Sequence, residues 1–571
     1  MPTPFIIQLQ YDDQSVTPKS EKMTFYDTLY TDVNSEDLPL GQRVRLTIHP
    51  KEDIVLKNLQ IDLAQNYGAS DQIFCNGYQS WTESKMYLPS EQIPDLKWPA
   101  RNKWKQQGDY ERSRIKRGTG QLHSWTYTFI KRAKQVFFCG SLNEHTGFTI
   151  FQHDCQSGKL SIQLDLETLK LSHSYPAFDL VILEGKEEAV FKAYFEQLDL
   201  PELKAPPLTG WTSWYHYYQD INEDLLDKNL QALAAQETKV DLFQIDDGYQ
   251  PAVGDWLKTT AGFPNGMSSI ARKINSHGMK AGLWLAPFIC DSRSDIFKNK
   301  PGWILKDAAG QMVKAGYSKG WGGWYYALDF YEKEVQDYLT GVFFHIFNKW
   351  GYQLVKLDFL YAACLAPPSN KTSGQVMCEA MNFLRRLAGD KWILACGVPL
   401  GAAFGRVDYC RIGGDVRMSW EDKWLRWSGL RERTSTLASL HSTLNRWQLN
   451  GHAFHNDPDV FVLRETKNKL THTEQITLLL ANRLLGNILM TSDFVGDYSP
   501  EQWCEFTEIF QSPYIRVNQV VFLGSEQYSI QFVHQKVKWI AYLNLSNKPM
   551  IVTHQSHQIT IVKHNNLILK N

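Results

Sequence analysis

Over the first two hundred residues apolar side chains alternate with polar ones: Val44, Leu46 and Ile48, then Trp125, Tyr127 and Phe129, then Leu160, Ile162, Leu164 and Leu166. A period of two belongs to half-buried strands, so residues 1–204 are predicted to form an antiparallel N-terminal β-sandwich. Between Trp81 and Gly118 the alternation gives way to a polar, Pro- and charge-rich segment. It is too long for a hairpin turn and is expected to be functional or mobile. Its charged run, from Glu111-Arg112 to Lys116-Arg117, reads as a solvated face.

From about Ala205 short apolar runs alternate with helical patterns. Eight strands are predicted at 210–214, 242–246, 281–286, 354–358, 392–396, 407–412, 453–456 and 487–492, the order of a (β/α)8 TIM-type barrel over 205–498. Val335, Tyr338, Leu339, Val342, Phe343, Ile346 and Phe347 fall on one helical stripe, and weaker helices begin near Asn222, Met267 and Gln375. The fifth connection, 399–406, is too short and small-residue-rich for a full helix. Beyond Tyr498 a last helix and strands near 520–522, 528–533, 539–543 and 559–562 predict a small C-terminal antiparallel β-domain, 499–571.

The 571 residues, 43% hydrophobic and 21% charged, fit a large globular core with flanking domains. Sixty basic and 61 acidic side chains nearly cancel. No overall field draws the chain to nucleic acid or an anionic membrane, so a neutral small molecule is the expected partner. The opening Met1-Pro2-Thr3-Pro4-Phe5-Ile6-Ile7-Gln8 lacks a basic n-region and a long apolar run, which points to the cytoplasm. Nine scattered cysteines without a C-x-x-C pair suggest neither a disulfide framework nor a structural zinc.

Active sites of such barrels form at the C-terminal strand ends, and here those ends are rich in carboxylates. Strand two ends in Asp246-Asp247-Gly248, strand four in Lys356-Leu357-Asp358, strand six in Arg411-Ile412-Gly413-Gly414-Asp415, strand seven in Asn456-Asp457 and strand eight in Asp493. A lone Asp-Asp-Gly is more often a turn, and a lone strand-end aspartate often a helix cap; repetition around one barrel argues for chemistry. Retaining glycoside cleavage needs an ionised nucleophile and a protonated acid roughly 5 Å apart. Asp358 and Asp415 are the candidates. Lys356, on the same strand face as Asp358, is expected to keep it ionised, while Gly413-Gly414 is expected to give Asp415 a flexible turn whose carboxyl protonates once substrate closes over it. Arg411 offers a planar donor fork. Trp284, taken alone, reads as core. His452 and His455 lack the companions of a metal site, and no metal or organic cofactor is expected.

Gly210-Trp211-Thr212-Ser213-Trp214-Tyr215-His216-Tyr217, Gln244-Ile245-Asp246-Asp247-Gly248-Tyr249 with Gly254-Asp255-Trp256, Trp284-Leu285-Ala286-Pro287-Phe288, Lys356-Leu357-Asp358-Phe359, Cys396-Gly397 with Pro399-Leu400, and residues 407–415 with Asn456-Asp457-Pro458-Asp459 resemble, in order, the α-galactosidases of glycoside hydrolase family 36. Asn76-Gly77-Tyr78-Gln79-Ser80-Trp81 is similar to the segment that family members insert into the active site. The resemblance implies a retaining hydrolase of melibiose- or raffinose-like galactosides, with Asp358 as nucleophile and Asp415 as acid/base. It implies that Asp246 and Asp247 accept from the sugar 6- and 4-hydroxyls and that Lys356 donates near the 3- and 4-hydroxyls. Arg411, Cys396 and Gly397 would border the 2-position, and Trp284, Tyr217 and Trp81 would form apolar walls. Gly414 stands where many members have proline, which is expected to loosen the acid/base turn. The flanking domains are compact beside the longest bacterial members, which bears against their tetrameric assembly and leaves a homo-oligomer open. Two enzymatic rivals share this barrel: an α-N-acetylgalactosaminidase, given small Gly397 at the 2-position, and a galactosyl transferase of the raffinose-synthase type.

Overall fold

The computed structural model describes residues 3–570, apart from residues 21, 134, 167, 237, 434, 512–514 and 555–556. Its centre is a nine-stranded, wholly parallel sheet. Leu208–Thr212, Leu242–Ile245, Lys280–Leu285, Leu354–Leu357, Trp392–Ala395, Tyr409–Arg411 and His455–Asp457 pair in succession. Ile488–Thr491 pairs with Leu208–Thr212 on one side and with the short Val460–Phe461 on the other. The seventh barrel position is therefore split at Pro458-Asp459, each half serving one neighbour. Proline offers no N–H to a ladder, and Asp459 sits at φ 76°, so the strand cannot run through. Strand bounds differ from those expected by one or two residues, and Asp246 and Asp358 lie just past the last ladder residue.

The apolar stripe of the third crossover is buried at Val335, Leu339, Val342 and Phe343 in the helix Lys333–Phe344, which continues as a π-helical turn, His345–Trp350. The helix Ser373–Ala388 starts on a capping box between Thr372 and Gln375. In the fifth connection only the single turn Leu400–Ala403 is helical. A three-stranded antiparallel sheet of Ile289–Asp291, Lys314–Ser318 and Gly323–Ala327, inserted after strand three, went unread in the sequence.

The N-terminal region holds a seven-stranded and an eight-stranded sheet whose strands pair antiparallel, sharing a core in which Leu9 and Ile61 of one meet Leu46, Ile48 and Ile182 of the other. Trp125, Tyr127 and Phe129 do not form one strand. Thr126 adopts φ 67°, and the chain turns there from Gln121–Trp125 in the first sheet to Tyr127–Arg132 in the second. Leu166 lies beyond the strand Lys159–Leu164. The Trp81 to Gly118 segment is pinned rather than loose. It contains the helix Ala100–Trp104, and it meets the inserted sheet through Trp104 Nε1 on the Tyr317 carbonyl (3.2 Å) and Gln107 Nε2 on the Tyr325 hydroxyl (3.0 Å). Its charged run alternates: Glu111 and Lys116 are exposed, while Arg112 turns inward to Asp165 (3.2 Å). At the C-terminus Arg516–Gly524, Gln527–His534, Val537–Asn544 and Asn565–Lys570 form a four-stranded sheet beside the hairpin Met550–His554 and His557–Ile561. Its last strand escaped the sequence reading because its side chains are half-buried or exposed on both faces. Among the described residues no helix is long and apolar enough to cross a membrane.

The N-terminal region and barrel are locked together by Arg446, which is wholly buried. Its Nε donates to Asn76 Oδ1 (2.8 Å), Nη1 to the carbonyls of Ser80 (2.8 Å) and Ile412 (2.9 Å), and Nη2 to those of Gln79 (3.3 Å) and Gly77 (3.5 Å). Burial lowers the guanidinium to about 10, still protonated at neutral pH. Replacing it by Arg446→Met strands several buried carbonyls and is expected to cost about 3 kcal/mol or more. Thermal melting checks this, and a midpoint within about 1 °C of the wild type would rule the clasp out as a stabilising contact.

Candidate active site

Strands two and four bring a lysine and a carboxylate together. Lys356 Nζ lies 2.8 Å from Asp246 Oδ2, with both residues buried. Burial pulls the ammonium down, but the charge of Asp246, joined by the smaller contributions of Cys396 and Asp358, leaves Lys356 above its ordinary value. Lys356 therefore pairs with Asp246 rather than with Asp358, whose charge is the least of its named influences. Asp358 is held instead by Trp284 Nε1 (3.0 Å to Oδ2) and by the Phe359 amide (2.9 Å to Oδ1). Phe359 takes φ 54°, an uncommon conformation for a bulky side chain, so the turn that presents Asp358 is strained.

Asp247 accepts from Trp321 Nε1 and from Gln219 Nε2, both at 2.8 Å. Burial raises its carboxyl, and these donors only moderate the rise. Trp321 is delivered by the inserted sheet, whose Gly320-Trp321-Gly322-Gly323-Trp324-Tyr325 was the unread signal.

Strand five ends in Cys396 and Gly397. Cys396 Sγ accepts from Trp81 Nε1 at 3.0 Å; burial, then the charge of Asp358, raises the thiol well above its usual value. Gly397 is left-handed at φ 66°, and a Cβ there would meet Trp81 Cζ2 at 2.9 Å and Phe359 Cα at 3.2 Å. The space left by the missing side chain is therefore already filled by Trp81, which corrects the expectation of spare room beside Gly397. Trp81 packs edge-on against Phe359, with centroids 4.9 Å apart.

Strand six supplies Arg411, a single buried guanidinium shared by three carboxylates: Asp415 (3.1 Å), Asp457 (3.1 Å) and Asp459 (3.0 Å). Asp457 and Asp459 flank the break in strand seven. Asp459 also accepts from the Tyr215 hydroxyl and from the Val416 amide (2.7 Å). Burial pushes Asp459 up to about 7; Arg411 opposes the rise and Asp415 adds to it. Asp415 moves the other way. Burial would raise it, but Arg433 and then Arg411 outweigh burial and lower it. Asp415 is thus favoured as a carboxylate by these cations, and its protonation needs the change of surroundings that a bound substrate brings.

Gly413 and Gly414 serve close packing, not looseness. A Cβ on Gly414 would meet the Glu432 carbonyl oxygen at 2.7 Å and that of Trp81 at 3.3 Å, and one on Gly413 would meet Ser439 at 3.3 Å. Arg433, from the same segment as Glu432, stacks on Trp81 (4.5 Å) and Phe359 (5.0 Å) and faces both Asp415 and Asp358. No local motif announces it, since it arrives by tertiary contact. Tyr217 stands apart: its contacts run to Asn229, Trp211 and His216 rather than to the carboxylates.

A surface cavity of about 740 Å³ lies elsewhere, lined by Lys131, Glu187, Trp447, Arg516 and Gln531 among others. It contains none of these strand-end carboxylates. The strand-end cluster is the better candidate because ionisable groups converge there.

The Melibiase family model matches residues 204–377, from the barrel's start to the helix after strand four. Arg411, Asp415, Cys396, Gly397 and Trp81 lie outside that match. Over 170 residues the chain is 29% identical to an α-galactosidase of Escherichia coli, covering 28% of this chain and only 23% of that relative. Solved structures extend the likeness: TtGalA, an α-galactosidase of Thermus thermophilus, superposes with TM-score 0.72 at 26% identity, covering 93% of this chain and 98% of its own. The fold of the family 36 α-galactosidase AgaA of Geobacillus stearothermophilus matches with TM-score 0.58 at 13% identity, covering 97% of this chain and 81% of its own. By family model, sequence and fold together, this chain is similar to α-galactosidases, and its fold is that of members of glycoside hydrolase family 36.

Proposed function

We propose that this chain is a retaining α-galactosidase that releases terminal α-linked galactose from small oligosaccharides such as melibiose and raffinose. The observation that carries the reading is convergence. Asp358 and Asp415 act on the same neighbours: Arg433 feels both charges, and so does the Cys396 thiol. In this reading Asp358 attacks the anomeric carbon while Asp415 gives its proton to the leaving oxygen; Asp415 then takes a proton from water, which releases galactose with retained configuration. Asp246 and Asp247 would accept from the 6- and 4-hydroxyls. Lys356, already on Asp246, would donate at the 3- and 4-side, and Trp284 and Trp81 would wall the ring. A sugar lacking the axial 4-hydroxyl would leave a buried carboxylate short of a donor, which disfavours glucose. TtGalA was solved with p-nitrophenyl α-D-galactopyranoside, and the same glycoside is the natural probe here. The division into a sandwich (1–204), barrel (205–498) and C-terminal domain (499–571) belongs to the same proposal.

Against the N-acetylgalactosaminidase reading stands Trp81, which occupies the space beside Gly397. Comparing the two nitrophenyl glycosides decides between them, and galactosylated acceptor outrunning free galactose would favour the transferase.

Asp358→Ala should lower turnover of nitrophenyl α-galactoside by about a thousandfold or more, with azide restoring a product of inverted configuration; full turnover in that variant would remove Asp358 from the mechanism. Asp415→Ala should harm raffinose more than the nitrophenyl glycoside, whose leaving group needs less proton assistance. Gly414→Ala, which forces its Cβ against the Glu432 carbonyl, should cut kcat at least about tenfold through misplacement of Asp415. Wild-type kcat in that variant would mean that the turn yields freely.

A further inference from the structure

We propose that Arg433 holds the leaving sugar, donating its guanidinium fork to two hydroxyl oxygens of the residue next to the galactose. The inference rests on the hydrolase reading above and extends it to a residue that lies outside the family-model match.

Arg433 differs from every other arginine around the cluster in what its N–H groups do. Arg411 is committed to three carboxylates, Arg446 to carbonyls, Arg431 to Asp109 and Arg464 to Asp493. Arg433 stacks on Trp81 and Phe359, but among the described residues no hydrogen bond or ion pair is recorded for its guanidinium, and its Nε is buried without a partner. A guanidinium carries five donors, and leaving them unused beside buried rings is costly. Its half-buried side chain is open enough for acceptors to come from a ligand.

Position fixes which part of the ligand. The segment bearing Arg433 is laid on the Gly413-Gly414 turn, with the Glu432 carbonyl oxygen 2.7 Å from where a Gly414 Cβ would stand. That turn carries Asp415, the group proposed to protonate the leaving oxygen, so the sugar attached to that oxygen lies beside Asp415 and meets Arg433. Charge fixes the chemical class. Asp415 and Asp358 both face the guanidinium and would repel an anionic substituent, whereas adjacent hydroxyls of a neutral pyranose match the planar fork.

The test compares wild type, Arg433→Met and Arg433→Lys on raffinose, whose leaving group is sucrose, and on nitrophenyl α-galactoside, whose leaving group has no sugar hydroxyls. Sucrose, the leaving group of the first reaction, is added as an inhibitor of the second. In Arg433→Met, kcat/KM for raffinose should fall roughly 10- to 100-fold further than for the nitrophenyl glycoside, and inhibition by sucrose should weaken by a similar factor. Sucrose binding needs no proton transfer, so that readout separates a lost sugar contact from a changed Asp415. Arg433→Lys should recover part of both effects and stands in if Arg433→Met fails to fold. Equal losses on the two substrates with undiminished sucrose inhibition would overturn the assignment. A wild type inactive on both substrates would overturn the hydrolase reading itself, and this inference with it.

Discussion

A cation buried without a counter-ion is among the most expensive things a fold can contain, and Arg446 is one. It is tolerated because Asn76 Oδ1 and the carbonyls of Gly77, Gln79, Ser80 and Ile412 surround it, turning backbone that would otherwise lack donors into a coordination shell. Four of those five residues precede Trp81, and the fifth follows Arg411 directly. One side chain therefore sets both the indole that fills the space beside Gly397 and the strand end that leads to Asp415. Without it neither wall of the cluster has a fixed place relative to the other.

Around that frame the charges are arranged so that neighbouring carboxyls behave differently. Asp415 and Asp459 share Arg411, yet one is lowered and the other raised to about 7. The difference lies in their surroundings. Asp415 keeps about a third of its side chain in solvent and has Arg433 as a further cation, whereas Asp459 is sealed against Tyr215 with Asp415 and Asp457 close by. A search for the most acid-like carboxyl would choose Asp459, but its burial and its hydrogen bonds to Tyr215 and Val416 leave no face for a substrate. Here access, not proton affinity, separates a group that can do chemistry from one that steadies it.

The barrel was legible because its strands are short apolar runs that end in charge, a pattern that survives without knowledge of partners. Asp246, Lys356, Asp358, Arg411 and Asp415 could be collected for the same reason. What escaped depends on contacts that no local pattern encodes. Thr126 reverses the chain within an unbroken hydrophobic alternation, so two strands read as one. Lys356 sits two residues from Asp358 in sequence but finds Asp246 across the neighbouring strands. The pair Gly413-Gly414 looked like freedom and proved to be contact, because glycine marks both and only the packed neighbours distinguish them. Trp321 and Arg433 come from connections whose course is set by the whole fold.

The clasp also has a temporal side. Ser80 and Arg446 are separated by 366 positions. At a synthesis rate of roughly 5–20 residues per second, the ribosome has the 76–81 segment in hand for about 20–70 s before the guanidinium that anchors it exists. For most of that interval the N-terminal sheets can pair among themselves while Trp81 has neither Cys396, Gly397 nor Arg433 to pack against, since those residues follow it by more than 300 positions. The strand-end cluster is thus completed late, although the Trp81 segment that packs into it is translated early.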